Sequence, residues 1–278
     1  MRKIIVNEND TGFNKQIIPD MDAFKDFLRE QEYAECSVAS YLSSFTDYFR
    51  HGFTEISFAN ECQYKQALID EGKKAKTINL RIASLNLYNK LEGIPLIGYV
   101  KENEDPFALD GMEVEDYHKL VQGLLRDKKW NWYVAIKLLA ATGLRIGEAI
   151  GVSYGDLRKG YCTVIGKGKK ERTVYFSYAL RETLYPYIMD KADDEKIIPY
   201  TTHYVRSVFL RLKRKYGIDV CCSPHEYRRF FARNMYESTH DLPLLSGLLG
   251  HTRSTTTERY IRKTQKQAMT MYARAQNW

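Results

Sequence analysis

The 278 residues are 44% hydrophobic and 28% charged with no low-complexity tract, which fits a folded globular chain of two domains, about 100 and 170 residues. A formal net charge of +7 favours a polyanionic partner without by itself naming nucleic acid. The apolar run in MRKIIVNENDTGFNKQ is too short for a signal peptide, and none elsewhere approaches the ~18 residues of a membrane span; the five cysteines are odd in number and lack metal-ligand or CxxC spacing, so reduced thiols and a cytoplasmic location are expected.

Residues 1–18 form an N-terminal extension, after which helical periodicity begins. DMDAFKDFLREQ places Phe24, Phe27 and Leu28 on one face, and SVASYLSSFTDYFRH does the same with Val38, Tyr41, Leu42, Phe45 and Phe49. Two more helices are expected near 57–71 and 77–91, giving a small helical domain over 19–92. Residues 93–111, GIPLIGYVKENEDPFALDG, show no sustained period and read as a linker.

The second domain, 112–278, opens with helices over MEVEDYHKLVQGLL and WNWYVAIKLLAATG, the latter stopping at Gly143, and a further helical run RIGEAIGVSY. The period then changes: YCTVIGKGKKERTVYF has β-branched strands on either side of a basic glycine turn, a hairpin. From Ser177 to Trp278 the pattern is helical again. The fold class is therefore mainly α with a small β-sheet or hairpin.

Five local clusters carry charge in suggestive places. Lys73, Lys74 and Lys76 stand at a helix start, where cations oppose the helix dipole unless an anion compensates; a solvated lysine loop is the plainer reading. Arg145 follows a glycine turn with Glu148 one turn on, so it pairs with Glu148 or faces an anion. Lys167 sits between two glycines on the hairpin tip, a position open equally to solvent. His225 and Arg228 share a helical face at i, i+3, a spacing common by chance. Ser254 or Thr255 can cap a short helix carrying Tyr260 in its second turn, after His251.

Taken together these clusters resemble the tyrosine recombinase family, which spans phage integrases and Xer-like enzymes. The box A-T-G-x-R-x-x-E stands as Ala141 to Glu148, and V-x-G-K-G-x-K-x-R puts the hairpin lysine on Lys167. H-x-x-R falls on His225 and Arg228, and L-L-G-H, followed nine residues on by the nucleophile, falls on Leu248 to His251 and Tyr260. The motifs cover about 112–265, and the N-terminal helices look like the family's core-binding, DNA-clamping domain by pattern. Tyr227 and Arg229 depart from the leucine and histidine common in the second box; spacing from His225 favours Arg228 over Arg229.

The resemblance implies a catalytic domain over 112–278 ending in a tail helix, and an enzyme that cleaves and rejoins DNA through a 3′-phosphotyrosyl intermediate and a Holliday junction. Arg145 and Arg228 would hold the non-bridging oxygens of the phosphate, with His251 as a further donor. Tyr260 would be the nucleophile, His225 the proton acceptor or a group holding tyrosine and phosphate in line, and Lys167 the acid to the leaving 5′ oxygen. Glu148 supports the site by orienting Arg145 or the hairpin. Bond energy is retained, so ATP is not required, and no metal or other cofactor is expected.

The implied partners are double-stranded DNA recombination sites, accessory DNA-bending proteins and three further copies, in a homo-tetramer joined by exchange of the C-terminal tail. The alternative for the tail is a helix docked on its own domain. Lys73, Lys74, Lys76, Arg206, Arg211, Lys213 and Arg214 are candidates for phosphate contacts, and no membrane is involved. Service to a mobile element or phage, by integration or excision, is the leading reading; no separate arm-binding domain is expected ahead of residue 20, which leans toward a simpler recombinase than the large phage integrases. The alternatives are an Xer-like chromosome or plasmid resolvase, a type IB topoisomerase, or a catalytically silent protein that covers recombination sites.

Overall fold

The computed structural model describes residues 4–5, 16–102, 111–166, 171–250 and 254–276. The chain divides into two compact units, Met1–Glu104 and Asp105–Trp278, each with its own core.

The first unit holds four helices: α1 (Met21–Glu30), α2 (Glu35–Arg50), α3 (Phe58–Asp70) and α4 (Ala75–Glu92). Asp20 and Ser57 cap α1 and α3 by accepting backbone N–H bonds, as short oxygen-bearing side chains do at helix starts. Phe24, Phe45 and Tyr88 form an aromatic centre with ring centroids 5.1 to 5.3 Å apart. Phe49, expected on the inner face of α2, is displaced by Tyr48, which is fully buried while Phe49 is 36% exposed. The Tyr48 hydroxyl donates to the Glu55 carbonyl at 2.8 Å, so its polar end does not oppose burial.

Expected to be a single small hairpin, the β structure includes a second ladder. Strand β1 (Ile4–Ile5) pairs antiparallel with β2 (Gln16–Ile17), and Ile17 exchanges backbone hydrogen bonds with Ile56 at 3.0 and 2.7 Å. Ile17, at the end of the expected extension, is therefore part of the first unit's core.

The expected linker is also largely built into this unit. An asparagine ladder on α4 straps it down: Asn89 donates to Pro95 O, while Asn86 and Asn79 each both donate to and accept from the backbone of Ile97 and Val100. The spans agree, since ten helical residues from Asn79 to Asn89 rise about 15 Å and five extended residues from Pro95 to Val100 cover about 16 Å. Ile94 and Ile97 are buried as a result. The rest of the expected linker, residues 103–110, lies outside the described residues.

The second unit begins at a clamp: Met112 N–H donates to Glu226, and Arg233 donates to Met112 O. Helices α5 (Val114–Arg126) and α6 (Trp130–Thr142) follow, and α6 is apolar on nearly every side, as suits the central helix of a bundle. The expected run over RIGEAIGVSY breaks in two: α7 (Ile146–Ala149) is a single turn, and Ser153 caps a fresh start at α8 (Tyr154–Lys159). Strands β3 (Tyr161–Ile165) and β4 (Glu171–Tyr175) form the hairpin, with Val164 opposite Arg172.

Helix α9 (Tyr178–Leu184) and a 3-10 turn lead to α10 (Thr202–Lys215), α11 (Pro224–Thr239), α12 (Leu242–Leu249), α13 (Ser254–Ile261) and α14 (Gln265–Ala275). Phe231, Ala232, Leu245 and Leu249 make a small satellite core against which Tyr260 and Ile261 pack. Among the described residues no helix is long and apolar enough to cross a membrane.

Candidate active site

Two helix ends meet at one place, each stopped by a left-handed glycine. Gly143 ends α6 at φ +63°, and Gly250 ends α12 at φ +65°. A side chain at Gly143 would also collide with Phe231, whose Cδ1 lies 2.5 Å from the position of a Cβ. Both glycines thus satisfy a conformational and a steric requirement at once.

Arg228 reaches both ends. From α11 its guanidinium donates to Gly143 O at 2.6 Å and Leu249 O at 2.7 Å, and the residue is 1% exposed. A buried cation is tolerable here because two helix C-termini present partial negative charge and unfilled carbonyls. Burial and then the neighbouring Arg145 lower its pKa to about 10, with Tyr260 acting in the opposite direction, so the charge persists at neutral pH. The guanidinium also hydrogen-bonds the Tyr260 side chain. Its neighbour Arg229 instead pairs with Glu226 at 3.6 Å.

His225 begins α11 behind Ser223 and Pro224, a cap and a first-turn proline. Its ring meets that of Tyr260 edge-on, with centroids 5.5 Å apart and planes at 69°. Lost hydration, and then the charges of Arg229, Arg228 and Arg145, lower the pKa of His225 below its ordinary value. The neutral imidazole that results at neutral pH is the form able to accept a proton.

Arg145 opens α7. Its backbone N–H donates to Glu148 Oε2 at 2.8 Å and its Nη1 to Oε1 at 3.0 Å, yet the side chain stays 40% exposed. Arg172 on β4 donates to the same carboxylate through both terminal nitrogens, at 2.9 and 2.8 Å. Burial alone raises the Glu148 carboxyl, but these donors more than reverse it and pull it down to about 2. A cleft of about 650 Å³ is lined by Arg145, Glu148, Ile165, Arg206, His225 and Arg228.

Lys167 and His251 lie outside the described residues; the last described residues before them are Gly166 and Gly250. The remaining candidates are dispersed. Arg206 lines the cleft, whereas Arg211 covers the Tyr204 ring and Arg214 is exposed toward the other end of α10. Lys213 donates to Asp219 O, and Lys215 pairs with Asp127, so both fasten the end of that helix. Lys73 pairs with Glu71 at 3.2 Å, Lys74 occupies the cap position of α4 and Lys76 follows in its first turn, which has no acidic residue.

Arg172, the last residue of the V-x-G-K-G-x-K-x-R box, is the site neighbour to which the sequence analysis assigns no role. Its signal was strand alternation: in ERTVY, Val174 is buried, so Arg172 two residues earlier points to the same inner face. An inward arginine requires an acid. Among the described residues no three His, Cys, Asp or Glu side chains gather as a metal site.

Residues 111–267 match the phage integrase family, more than half of the chain. The tyrosine recombinase XerA of Pyrococcus furiosus is 26% identical over 272 residues, covering 88% of this chain and 90% of the relative. Among solved structures, a lambda integrase dimer bound to a COC′ core site matches with a TM-score of 0.70 at 19% identity, covering 88% of this chain and 95% of that one. A lambda integrase tetramer bound to a Holliday junction matches at 0.68 and 19%, covering 86% and 75%. These two likenesses are of fold.

Proposed function

This chain belongs to the phage integrase family of tyrosine recombinases, DNA strand-transferring enzymes, and on that premise we propose that it is a site-specific recombinase serving a mobile element or phage. The Tyr260 oxygen attacks the scissile phosphorus and the bond to the 5′ oxygen breaks. The phenolic proton passes to His225, and the departing 5′ oxygen takes a proton from Lys167, a role assigned to Lys167 by its motif alone. Arg145 and Arg228 hold the non-bridging oxygens as negative charge grows on them, and His251 adds a donor. A 5′ hydroxyl from a second duplex then reverses the step and releases Tyr260, generating a Holliday junction after the first exchange.

The observation that supports this most is that Tyr260 contacts both the guanidinium of Arg228 and, with ring centroids 5.5 Å apart, the imidazole of His225. Lys73, Lys74, Lys76, Arg206, Arg211, Lys213 and Arg214 supply backbone contacts to double-stranded DNA, with Arg206 nearest the chemistry. Tetramer assembly by tail exchange draws support from α14, where Met269, Met271 and Tyr272 are 67%, 55% and 68% exposed. The lambda integrase tetramer on its junction provides the precedent. Accessory DNA-bending proteins complete the assembly, and the five free cysteines suit a cytoplasmic setting.

The test is to select duplexes from random DNA with the protein, sequence them, and present the site as a nicked suicide substrate. The wild type should be trapped covalently and Tyr260→Phe should bind without being trapped; trapping of that variant would remove Tyr260 as nucleophile. Strand exchange between two sites, rather than relaxation alone, separates recombinase from topoisomerase. Xer-like resolution is a second reading, favoured by the near full-length match to XerA. Selected sites at the ends of a mobile element support the first reading, and sites in a chromosome or plasmid resolution locus the second.

A further inference from the structure

We propose that Arg172 is a positioning residue for DNA cleavage: by occupying both oxygens of Glu148 it keeps that carboxylate from enclosing Arg145, whose outer edge stays turned to the phosphate.

The geometry begins with an imbalance. Glu148 is one carboxylate, its side chain 7% exposed, shared by two guanidiniums. Arg172 takes the two-pronged pairing, at 2.9 and 2.8 Å, and its side chain is 12% exposed. Arg145 receives the remainder, one terminal nitrogen at 3.0 Å and its own backbone N–H at 2.8 Å. A carboxylate has about four lone-pair positions, so these four donors saturate it. Arg145 is thus anchored by one nitrogen, and the rest of its planar fork is available in the cleft, which agrees with its 40% exposure.

Remove Arg172 and the balance shifts. Glu148, buried and ionised, would lose its better partner, and the nearest guanidinium able to replace it is that of Arg145. Two-pronged pairing there would turn the Arg145 fork into the protein and away from the bound phosphate.

Two further facts show that Arg172 is built into this place. It stands on the inner face of the hairpin, opposite Val164 and beside buried Val174, where an unpaired charge would be strongly disfavoured. Its chain also runs close over Gly250: a Cβ there would lie 2.7 Å from Arg172 Cδ and 3.2 Å from Nε. One side chain therefore touches α7 through Glu148 and the end of α12 through Gly250, the same helix end that Arg228 holds.

The inference rests on the recombinase reading, and the experiment keeps the two apart. Wild type, Arg172→Met, Arg172→Lys, Glu148→Gln and the double variants are compared on the nicked suicide duplex in single turnover at saturating DNA, with affinity measured separately. Failure of the wild type to form a covalent complex would sink the recombinase reading itself. If that complex forms, Arg172→Met should slow its formation on the order of 10²-fold, as misplacing a reacting group does, with DNA affinity within about twofold. Arg172→Lys keeps the charge but not the fork and should recover only part of the rate. In the Glu148→Gln background, where the carboxylate cannot capture Arg145, Arg172→Met should slow cleavage far less. Equal losses in both backgrounds, or an unchanged rate accompanied by lower thermal stability and weaker binding, would overturn the proposal. Should Arg172→Met fail to fold, the same cycle with Arg172→Lys decides by the same criterion.

Discussion

His225 meets Tyr260 edge to face, centroids 5.5 Å apart, at the start of a helix whose next turn supplies the buried Arg228. The proposed proton acceptor and the proposed nucleophile are thus neighbours in this structure. Lost hydration and then Arg229, Arg228 and Arg145 hold the imidazole's pKa below its ordinary value.

The first prediction concerns that imidazole. In the free protein its nuclear magnetic resonance titration should have a midpoint below the ordinary value of 6.5. Arg229→Gln should move the midpoint upward, and no movement would remove the electrostatic cause. Because the folded form binds this proton less readily than the unfolded one, the linked stability is complete above pH 6.5 and declines as pH falls from there through the lowered folded value.

Arg228 should resist conservative replacement. Arg228→Lys has one ammonium where the wild type bridges Gly143 O and Leu249 O, so one buried carbonyl is left without its charged donor. The expected loss is about 2 kcal/mol of folding stability, read from denaturant midpoints, together with loss of cleavage. Tyr260→Phe, by contrast, should lose cleavage with little change in stability.

Gly143 and Gly147, four residues apart in the same box, should behave oppositely. Gly143→Ala must hold φ +63° and displace Phe231, and should cost about 2 kcal/mol or more. A Cβ at Gly147 meets nothing within 4 Å and its φ is ordinary, so Gly147→Ala should be neutral or stabilising by about 0.5 kcal/mol. Thermal melts of the two variants test the contrast.

The strap on α4 gives a prediction about the segment that follows that helix. Asn86→Ala removes the bonds at 3.0 and 2.9 Å that satisfy the buried backbone of Ile97. It should destabilise the first unit by about 2 to 3 kcal/mol and speed amide exchange at Ile97 more than at the Phe24 and Phe45 core. Uniform acceleration across the unit would mean the ladder is not a local strap.

On α10 the cations should divide by what they touch. Arg206→Ala should weaken DNA binding and reduce the salt slope by about one unit, as loss of one phosphate contact does. Lys215→Ala, which breaks only the pairing with Asp127, should leave that slope unchanged. Fluorescence anisotropy across a salt series distinguishes them.

Local chemistry accounts for what was legible beforehand. Glycine stops and apolar periodicity act within a few residues, so the end of α6 at Gly143 and the hairpin strands could be read from the chain. The spacing of four motifs also singled out Tyr260 among 21 tyrosines. The packing of residues 94–100 was not legible because Pro95, Gly98 and the absent period look like free chain, whereas their partners are asparagines on a preceding helix. Tyr48 rather than Phe49 is buried on α2, where the Glu55 carbonyl receives its hydroxyl, and hydropathy does not show that such a carbonyl is there.

What the amino-acid order determined by itself is the set of groups and the local geometry presenting them: two arginines, a histidine and a tyrosine at helix starts and ends. What only tertiary structure decided is how their charges are shared. Arg228 is buried where two helix ends face it, His225 has its pKa lowered first by lost hydration and then by three nearby cations, and Glu148 is shared between Arg172 and Arg145. The contacts of Arg228 with Gly143 O and Leu249 O and of Arg172 with Glu148 join residues 85, 21 and 24 positions apart at under 3 Å, and sequence spacing does not give such distances.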